Sequence, residues 1–313
     1  MMRKALIIGI NNYKNCPLNG CVNDASAISS VLSSNGNGSP NFEVILKTDI
    51  KNKAELKTHI KELFEGDAET SLFYFSGHGF LDDLGGGYIV TPDYQPNDEG
   101  VSMEEILNFA NASRAQNKII ILDCCNSGAF GSPISSNGAS QIKEGITILT
   151  ASKKNESAVE ENGHGVFTNL LLGALLGGAS DLTGHITPGS VYSYIDQALG
   201  SWDQRPVFKT NITKFTSLRD ISPLVLLETL RKITTYFSKP QEEFKLDPSF
   251  EDSIEGYNKD NSKIFKDLQK FERNGLVIPV DEEYMYYAAI HSKSCKLTAL
   301  GWHYWMLVNK KRI

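Results

Sequence analysis

Two short boxes carry groups that can do chemistry. Ser76, Gly77, His78 and Gly79 follow the apolar run SLFYF at 71–75, and Asp123, Cys124, Cys125, Asn126, Ser127 and Gly128 follow the run KIIIL at 118–122. A thiol and an imidazole are the pair that nucleophilic acyl chemistry needs: the thiolate attacks, and the histidine accepts or shares its proton. His78 stands between glycines, which let a backbone approach a substrate closely and adopt unusual torsions. Backbone N–H groups beside His78 and Cys125 could then stabilise an oxyanion. A loop histidine alone, or two cysteines packed as small hydrophobes, would carry no function. The two boxes together, with His78 and Cys125 47 residues apart, point to an enzyme.

The elements that must position these boxes are strands buried on both faces. A short continuous apolar run rich in β-branched residues is the habit of a parallel sheet. A carboxylate and two thiols at the end of such a strand are poorly placed for packing. They are well placed for chemistry, because ligands in open α/β sheets sit beyond the carboxyl ends of the strands. Further strands are expected at 4–10, 42–46 and 146–150, with 88–90 as an edge piece. Helical spacing marks 23–32, with Ala25, Ile28, Val31 and Leu32 inward, and 53–64, with Leu56, Ile60, Leu63 and Phe64 inward. Helices are also expected at 103–109, 166–176 and 188–199. Alternating strands and helices with short connections predict a doubly wound α/β domain.

The pattern changes near Asp220. Beyond it the spacing predicts helices at 224–237 and 263–273, strands at 276–279 and 284–290, and a last helix at 298–308 capped by Thr298. Helices, a two-stranded ribbon and a closing helix suggest a winged-helix-like module. The expected division is therefore a first domain at 1–220 and a second at 221–313, with the linker around 221–223.

The chain has 313 residues, 41% hydrophobic and 22% charged, which is ordinary for a globular protein of about two domains. A net charge of −6 argues against a chain built to coat nucleic acid or an anionic membrane. Five cysteines, two of them adjacent, do not make a disulfide framework, and no CxxC spacing suggests structural zinc. The first apolar stretch, 5–10, is too short for a secretory signal. The longest weakly polar stretch, 170–179, is about half a membrane span. A cytoplasmic protein with no membrane partner is expected.

The blocks YFSGHG at 74–79 and DCCNSG at 123–128 resemble those of the caspase-like cysteine peptidases, specifically metacaspases and bacterial orthocaspases. The His-to-Cys interval is close to the roughly 50 residues of caspases. The likeness extends to NGCVNDA at 19–25, GVFTNLLLGAL at 165–175 and QRP at 204–206, so it spans about two thirds of the chain. It implies a caspase-like αβα sandwich with a mostly parallel central sheet. Residue by residue it implies His78 as general base and proton shuttle, Cys125 rather than Cys124 as nucleophile, and the N–H groups of Gly79 and Cys125 as oxyanion donors. Asp123 and Asp24 match the two acids of the pocket for the residue before the scissile bond, and Cys21 and Ser76 line that pocket.

Charge alone sharpens the specificity. Two partly desolvated carboxylates repel a substrate aspartate and attract arginine or lysine, and no arginine lies near the matching segments, Arg114 falling on a helix and Arg205 in the QRP block. Asp24 also suits a helix N-terminus, where the dipole favours an acid. Asn126 stands where metacaspases usually have His. The acids Asp82, Asp83, Asp93, Asp98 and Glu99 do not reproduce the family's calcium cluster, so no metal site and no cofactor is expected and calcium is not expected to be required. Lys143 is the one basic residue of the segment 128–145, which makes it the expected site of self-cleavage.

In the second domain, Lys263, Lys266, Lys270 and Arg273 line one helical face. With acids around them this reads as a solvated face more than as a phosphate contact. Tyr284, Tyr286, Tyr287, Trp302, Tyr304 and Trp305 are expected to be mostly core. The expected function is a cysteine endopeptidase cleaving after Arg or Lys, regulated through a partner-binding second domain. By analogy with prokaryotic caspase relatives that carry extra modules, a role in stress response or phage defence is expected. The alternative is a DNA-binding or adaptor protein in which the first domain is a scaffold.

Overall fold

The computed structural model describes residues 2–83, 85–96, 98–124, 142–151, 160–161, 163–199 and 206–313. They form two compact units: Met1–Ser180 with His185–Ile221, and Asp181–Gly184 with Ser222–Ile313.

In the first unit the chain runs β1 (Arg3–Gly9), α1 (Cys21–Ser33), β2 (Glu43–Thr48), α2 (Lys53–Phe64) and β3 (Thr70–Ser76). It continues through β4 (Gly79–Leu81), β5 (Gly87–Gln95), β6 (Asp98–Ser102), α3 (Met103–Ala112), β7 (Asn117–Asp123) and β8 (Ile146–Thr150). Then come the two-residue strands β9 (Glu160–Glu161) and β10 (His164–Gly165), α4 (Val166–Gly173), β11 (His185–Ile186), α5 (Pro188–Ala198), β12 (Val207–Asn211) and β13 (Arg219–Asp220). The central sheet has the order β12-β8-β7-β3-β1-β2. Every neighbouring pair is parallel except β12 with β8.

Burial explains why these strands sit inside. Every residue of β3 is buried, and so is β7 up to its last residue. Alternate side chains feed two cores. Phe73, Phe75, Ile120 and Leu122 pack with Leu56, Ile60, Ile106 and Leu107 from α2 and α3. Leu72, Tyr74, Ile119 and Ile121 pack with Ala25, Ile28, Leu171 and Val191 from α1, α4 and α5. The result is a helix–sheet–helix sandwich, the expected α/β class.

Two local expectations are corrected, and one strand carries no sequence signal. Residues 88–90 are no edge piece of the main sheet: β5 is the middle strand of a separate antiparallel sheet, β4-β5-β6. The α4 helix stops at Gly173 and continues as a π-helical turn, Ala174–Gly178, where Gly177 takes φ 132°. The edge strand β12 was not anticipated, because its half-exposed sequence VFKTN lacks an apolar run.

In the second unit, the expected helix at 224–237 is two short helices, α6 (Leu227–Arg231) and α7 (Ile233–Tyr236). After β14 (Phe244–Lys245) and a 3₁₀ turn come α8 (Lys259–Arg273), β15 (Val277–Val280), α9 (Met285–Ile290), β16 (Ser294–Leu297) and α10 (Ala299–Asn309). The expected strand at 284–290 is the helix α9. Its aromatic residues favour a strand, but Met285, Ala288 and Ala289 are buried at helical spacing. The strand that pairs with β15 is β16, the centre of an antiparallel sheet ordered β14-β16-β15. The Thr298 hydroxyl caps α10 by accepting from the Gly301 N–H, as expected.

Of the six aromatic residues expected in this core, Tyr304 is buried and the Trp305 indole donates to the Phe237 carbonyl at 2.6 Å. Tyr284, Tyr286, Tyr287 and Trp302 are exposed instead. Tyr284 is the N-cap of α9, and the other three lie on α9 and α10 outside the faces that carry Met285, Ala288, Ala289 and Tyr304 inward.

One close approach in the first unit sets the start of the functional region. A Cβ on Gly9, the last residue of β1, would lie 2.1 Å from the Cys21 carbonyl oxygen at the start of α1. That obstacle is backbone and cannot swing away. Gly9→Ala should therefore destabilise the chain by about 3 kcal/mol, read as a lowered urea midpoint with an unchanged slope.

Candidate active site

The central sheet changes winding direction between β1 and β3, since β2 lies on one side of β1 and β3, β7 and β8 follow on the other. The crevice beyond the carboxyl ends at such a switch point is where open α/β sheets bind ligands. Register brings the strand ends level: Gly9 pairs with Ser76, and Ser76 with Asp123. The ends are tied by Ile10 N–H donating to the Ser76 carbonyl at 3.1 Å and Gly77 N–H donating to the Asp123 carbonyl at 3.3 Å.

His78 follows Ser76 by two residues, as Cys125 follows Asp123 by two. Cys125 itself lies outside the described residues. Cys124 is buried and packs in the core with Ile120, Leu122 and Tyr13. His78 is held on three sides. Its Nε2 lies 2.7 Å from the Cys16 carbonyl oxygen, its backbone N–H donates to the Tyr13 hydroxyl at 3.1 Å, and its ring meets the Tyr13 ring edge-on at 4.5 Å between centroids. A carbonyl only accepts, so Nε2 carries a hydrogen, which in the neutral ring leaves the lone pair on Nδ1. Gly79 opposes Ile89 in the β4–β5 pair, and the His78 carbonyl accepts from Val90 N–H at 2.9 Å. Successive residues of a strand direct their backbone polar groups to opposite sides, so the Gly79 N–H turns away from β5.

The carboxylates come together around one glycine. A Cβ on Gly165 would lie 2.9 Å from Asp123 Oδ2 and 3.4 Å from Asp24 Oδ2. Asp24 is 2% exposed, in the first turn of α1. It accepts from the Ser76 hydroxyl at 3.1 Å, the Gly165 N–H at 3.3 and 3.4 Å, and His164 Nδ1 at 2.8 Å. Asp123 accepts from the Thr168 hydroxyl at 2.6 Å, which in turn takes the Tyr74 hydroxyl at 2.5 Å. Burial pushes the Asp123 carboxyl up to about 6, with the Asp24 charge adding to the rise and Thr168 opposing it. Burial also raises Asp24, against the pull of its donors, and drives the Tyr74 phenol well up. Cys21 is buried at the start of α1, and Ser76 is buried at the end of β3.

Asp24, Asp123 and Ser76 thus share one cluster, and His78 stands beyond the end of the same strand, β3. Sequence reasoning missed Tyr13, the Cys16 carbonyl, His164 and Thr168. The last two flank or fall within the GVFTN block, so the signal was present, but contacts made across 45 and 140 positions leave no periodic trace. The first unit's described arginines are engaged elsewhere. Arg3 bonds Asn41 and lies over the Phe42 ring, Arg114 pairs with exposed Asp67, and Arg219 donates to the Ser34 and Leu175 carbonyls.

Among the acids weighed for calcium, Asp82 accepts from Gly86 N–H and the Tyr88 hydroxyl, Asp93 from Lys53 N–H, and Asp98 pairs with Lys53 Nζ. In the second unit, Lys263, Lys266 and Lys270 pair with Asp260, Asp252 and Asp267. No described helix is long and apolar enough to cross a membrane.

The Asp123 shift has a sign that can be tested. A carboxyl raised in the folded state favours folding at low pH, and that contribution is lost as pH rises from its unfolded value near 4 through about 6. Asp123→Asn keeps an acceptor for Thr168 and removes the charge. It should be more stable than the native chain at pH 7 by about 1–3 kcal/mol, with the difference vanishing below pH 4 in urea unfolding.

A comparison with curated proteins finds no match. Solved structures share the fold. A protein of Geobacter sulfurreducens, GSU0716, is 15% identical, with a TM-score of 0.52 over 72% of this chain and 100% of its own. Caspase-1 of Spodoptera frugiperda is 16% identical, with a TM-score of 0.50 over 70% of this chain and 90% of its own. The family model described as "Caspase domain", peptidase group C14, matches residues 2–216. That match covers β1 through β12 and every residue of the site just described, so the chain belongs to the caspase-domain family of cysteine peptidases.

Proposed function

We propose that the protein is a cysteine endopeptidase that cleaves after arginine or lysine. The observation that carries this reading is the pair of carboxylates, buried Asp24 and half-buried Asp123, flanking Gly165 at the head of the sheet. A partly desolvated pair of acids favours a cation strongly over a neutral or acidic side chain. The substrate side chain enters there, beside Ser76 and Cys21, with its carbonyl carbon presented to Cys125.

In this reading His78 Nδ1 takes the thiol proton, because Nε2 is committed to the Cys16 carbonyl. The thiolate of Cys125 attacks the carbonyl, and the oxyanion accepts from the N–H groups of Gly79 and Cys125. The imidazolium then protonates the leaving amine. Water, deprotonated by the same histidine, releases the acyl group. No step calls for a metal, so turnover is expected to persist with calcium chelated.

Lys143 suits self-cleavage in the same terms: it is exposed, with its backbone N–H on Asn111 Oδ1 at 3.0 Å. The second unit reads as a winged-helix-like, partner-binding regulatory domain. Its three-stranded antiparallel sheet with α8 before β15 supports that reading, as does the exposed group Tyr284, Tyr286, Tyr287 and Trp302. The acid partners of the α8 lysines favour it over DNA binding.

Fluorogenic peptides ending in Arg, Lys or Asp test the reading. Turnover is expected after Arg and Lys and not after Asp. Cys125→Ala should lose at least a thousandfold in kcat, while Cys124→Ala keeps much of the activity; the reverse pattern overturns the assignment. Asp24→Asn should lower kcat/KM for Arg peptides by about a hundredfold. Lys143→Ala should abolish any chain splitting at that position, seen by mass spectrometry.

A further inference from the structure

We infer that His164 is a specificity-determining residue: it is the pocket's own donor, holding Asp24 until the cationic side chain of a substrate displaces it. The inference deepens the proposed function and rests on the reading that this pocket receives Arg or Lys.

A buried carboxylate without donors is costly, so an empty acidic pocket must be satisfied from within. Asp24 meets that need with three groups. Ser76 is 2% exposed at the end of a strand paired on both sides, and the Gly165 donor is backbone at the head of α4. Neither can leave without disturbing the sheet or the helix. His164 differs in three respects. It makes the shortest of these contacts, 2.8 Å from Oδ1. Its side chain is 27% exposed, at the outer edge of a pocket whose acid is 2% exposed. It is carried by β10, a two-residue strand paired with two-residue β9. So short a ribbon shifts at low cost.

An arriving guanidinium presents a planar fork of donors that engages a carboxylate bidentately. To reach both oxygens of Asp24 it must take Oδ1 from His164. Asp123 needs no such exchange, since Thr168 and the Tyr74 hydroxyl behind it approach from the core side. A neutral side chain in the pocket offers nothing in return for the His164 contact and leaves it in place. His164 therefore lowers the affinity for a cation, which must displace it, and not that for a neutral isostere, which leaves it in place. It costs the native protein part of its affinity for Arg, in exchange for a satisfied pocket when empty.

The test uses the full chain and matched peptides ending in arginine or in citrulline, its neutral isostere. His164→Ala should lower KM for the arginine peptide about fivefold, leave its kcat unchanged, and leave the citrulline peptide unaffected. A direct measurement keeps the test decisive if that variant folds poorly. In the native chain with labelled histidine, saturating agmatine, a free guanidinium, should move the ¹⁵N resonance of His164 Nδ1 out of its hydrogen-bonded position. An unchanged or raised KM for arginine in His164→Ala, or agmatine that binds by calorimetry while the His164 resonance stays put, overturns the inference and leaves the pocket reading standing. Failure of the native chain both to cleave Arg or Lys peptides and to bind agmatine overturns the pocket reading, and the inference with it.

Discussion

Two carboxylates share one poorly solvated site at the head of the sheet, and the surrounding structure is arranged to tolerate them. Burial raises the cost of ionising both acids, and for Asp123 the Asp24 charge adds to it. The cost is met in different ways. Asp24 is ringed by a hydroxyl, a backbone N–H and an imidazole. Asp123 leans on Thr168, itself supported by a Tyr74 phenol that burial keeps protonated and able to donate. The gap between the acids is kept open by the missing side chain of Gly165, where even a methyl group would press on Asp123. In the proposed reading, the arginine or lysine of a substrate brings the positive charge that offsets both acids.

The acids meet because the sheet brings three loop origins to one line. Gly9, Ser76 and Asp123 are in register at the ends of β1, β3 and β7. From Gly9 the chain must turn at once into α1, which carries Asp24, and the absent Cβ of Gly9 lets the helix pass against the strand. From Ser76 it enters the glycine-flanked turn that holds His78. There the Cys16 carbonyl fixes the tautomer and the Tyr13 ring fixes the plane. Both partners come from the loop after β1, so a single segment sets the histidine and leads into the helix with the acid.

The second unit follows a different logic. Its core is closed by aromatic contacts among Phe237, Phe244, Phe250 and Phe265, and its basic helix face is neutralised by its own acids. Asp267 is buried and takes both Lys232 and the Tyr236 hydroxyl, which ties α7 to α8. Tyr284, Tyr286, Tyr287 and Trp302 remain at the surface. Large amphipathic rings held outside a completed core are the side chains protein interfaces favour.

Chain order alone determined the buried strands and what terminates them. The run at 72–75 and the run at 119–122 are apolar without interruption, which places each inside a parallel sheet with the polar box that follows at its carboxyl end. Helix 53–64 and strand 146–150 keep the boundaries their spacing implies. Local pattern misled where it was short or where two propensities competed. Aromatic residues at 284–290 suggested a strand, and the buried spacing of Met285, Ala288 and Ala289 made a helix; strands of two to five residues, such as β14 and β12, carry too few positions to alternate. The partners of the reactive groups were decided only by folding. Nothing near position 24 in the chain indicates His164, nor near 123 Thr168, nor near 78 the Cys16 carbonyl, because each is a contact across the sheet's end. Periodicity reports which face of an element is apolar. Which donor meets a buried charge depends on where separate loops converge, and that is a property of the assembled sheet.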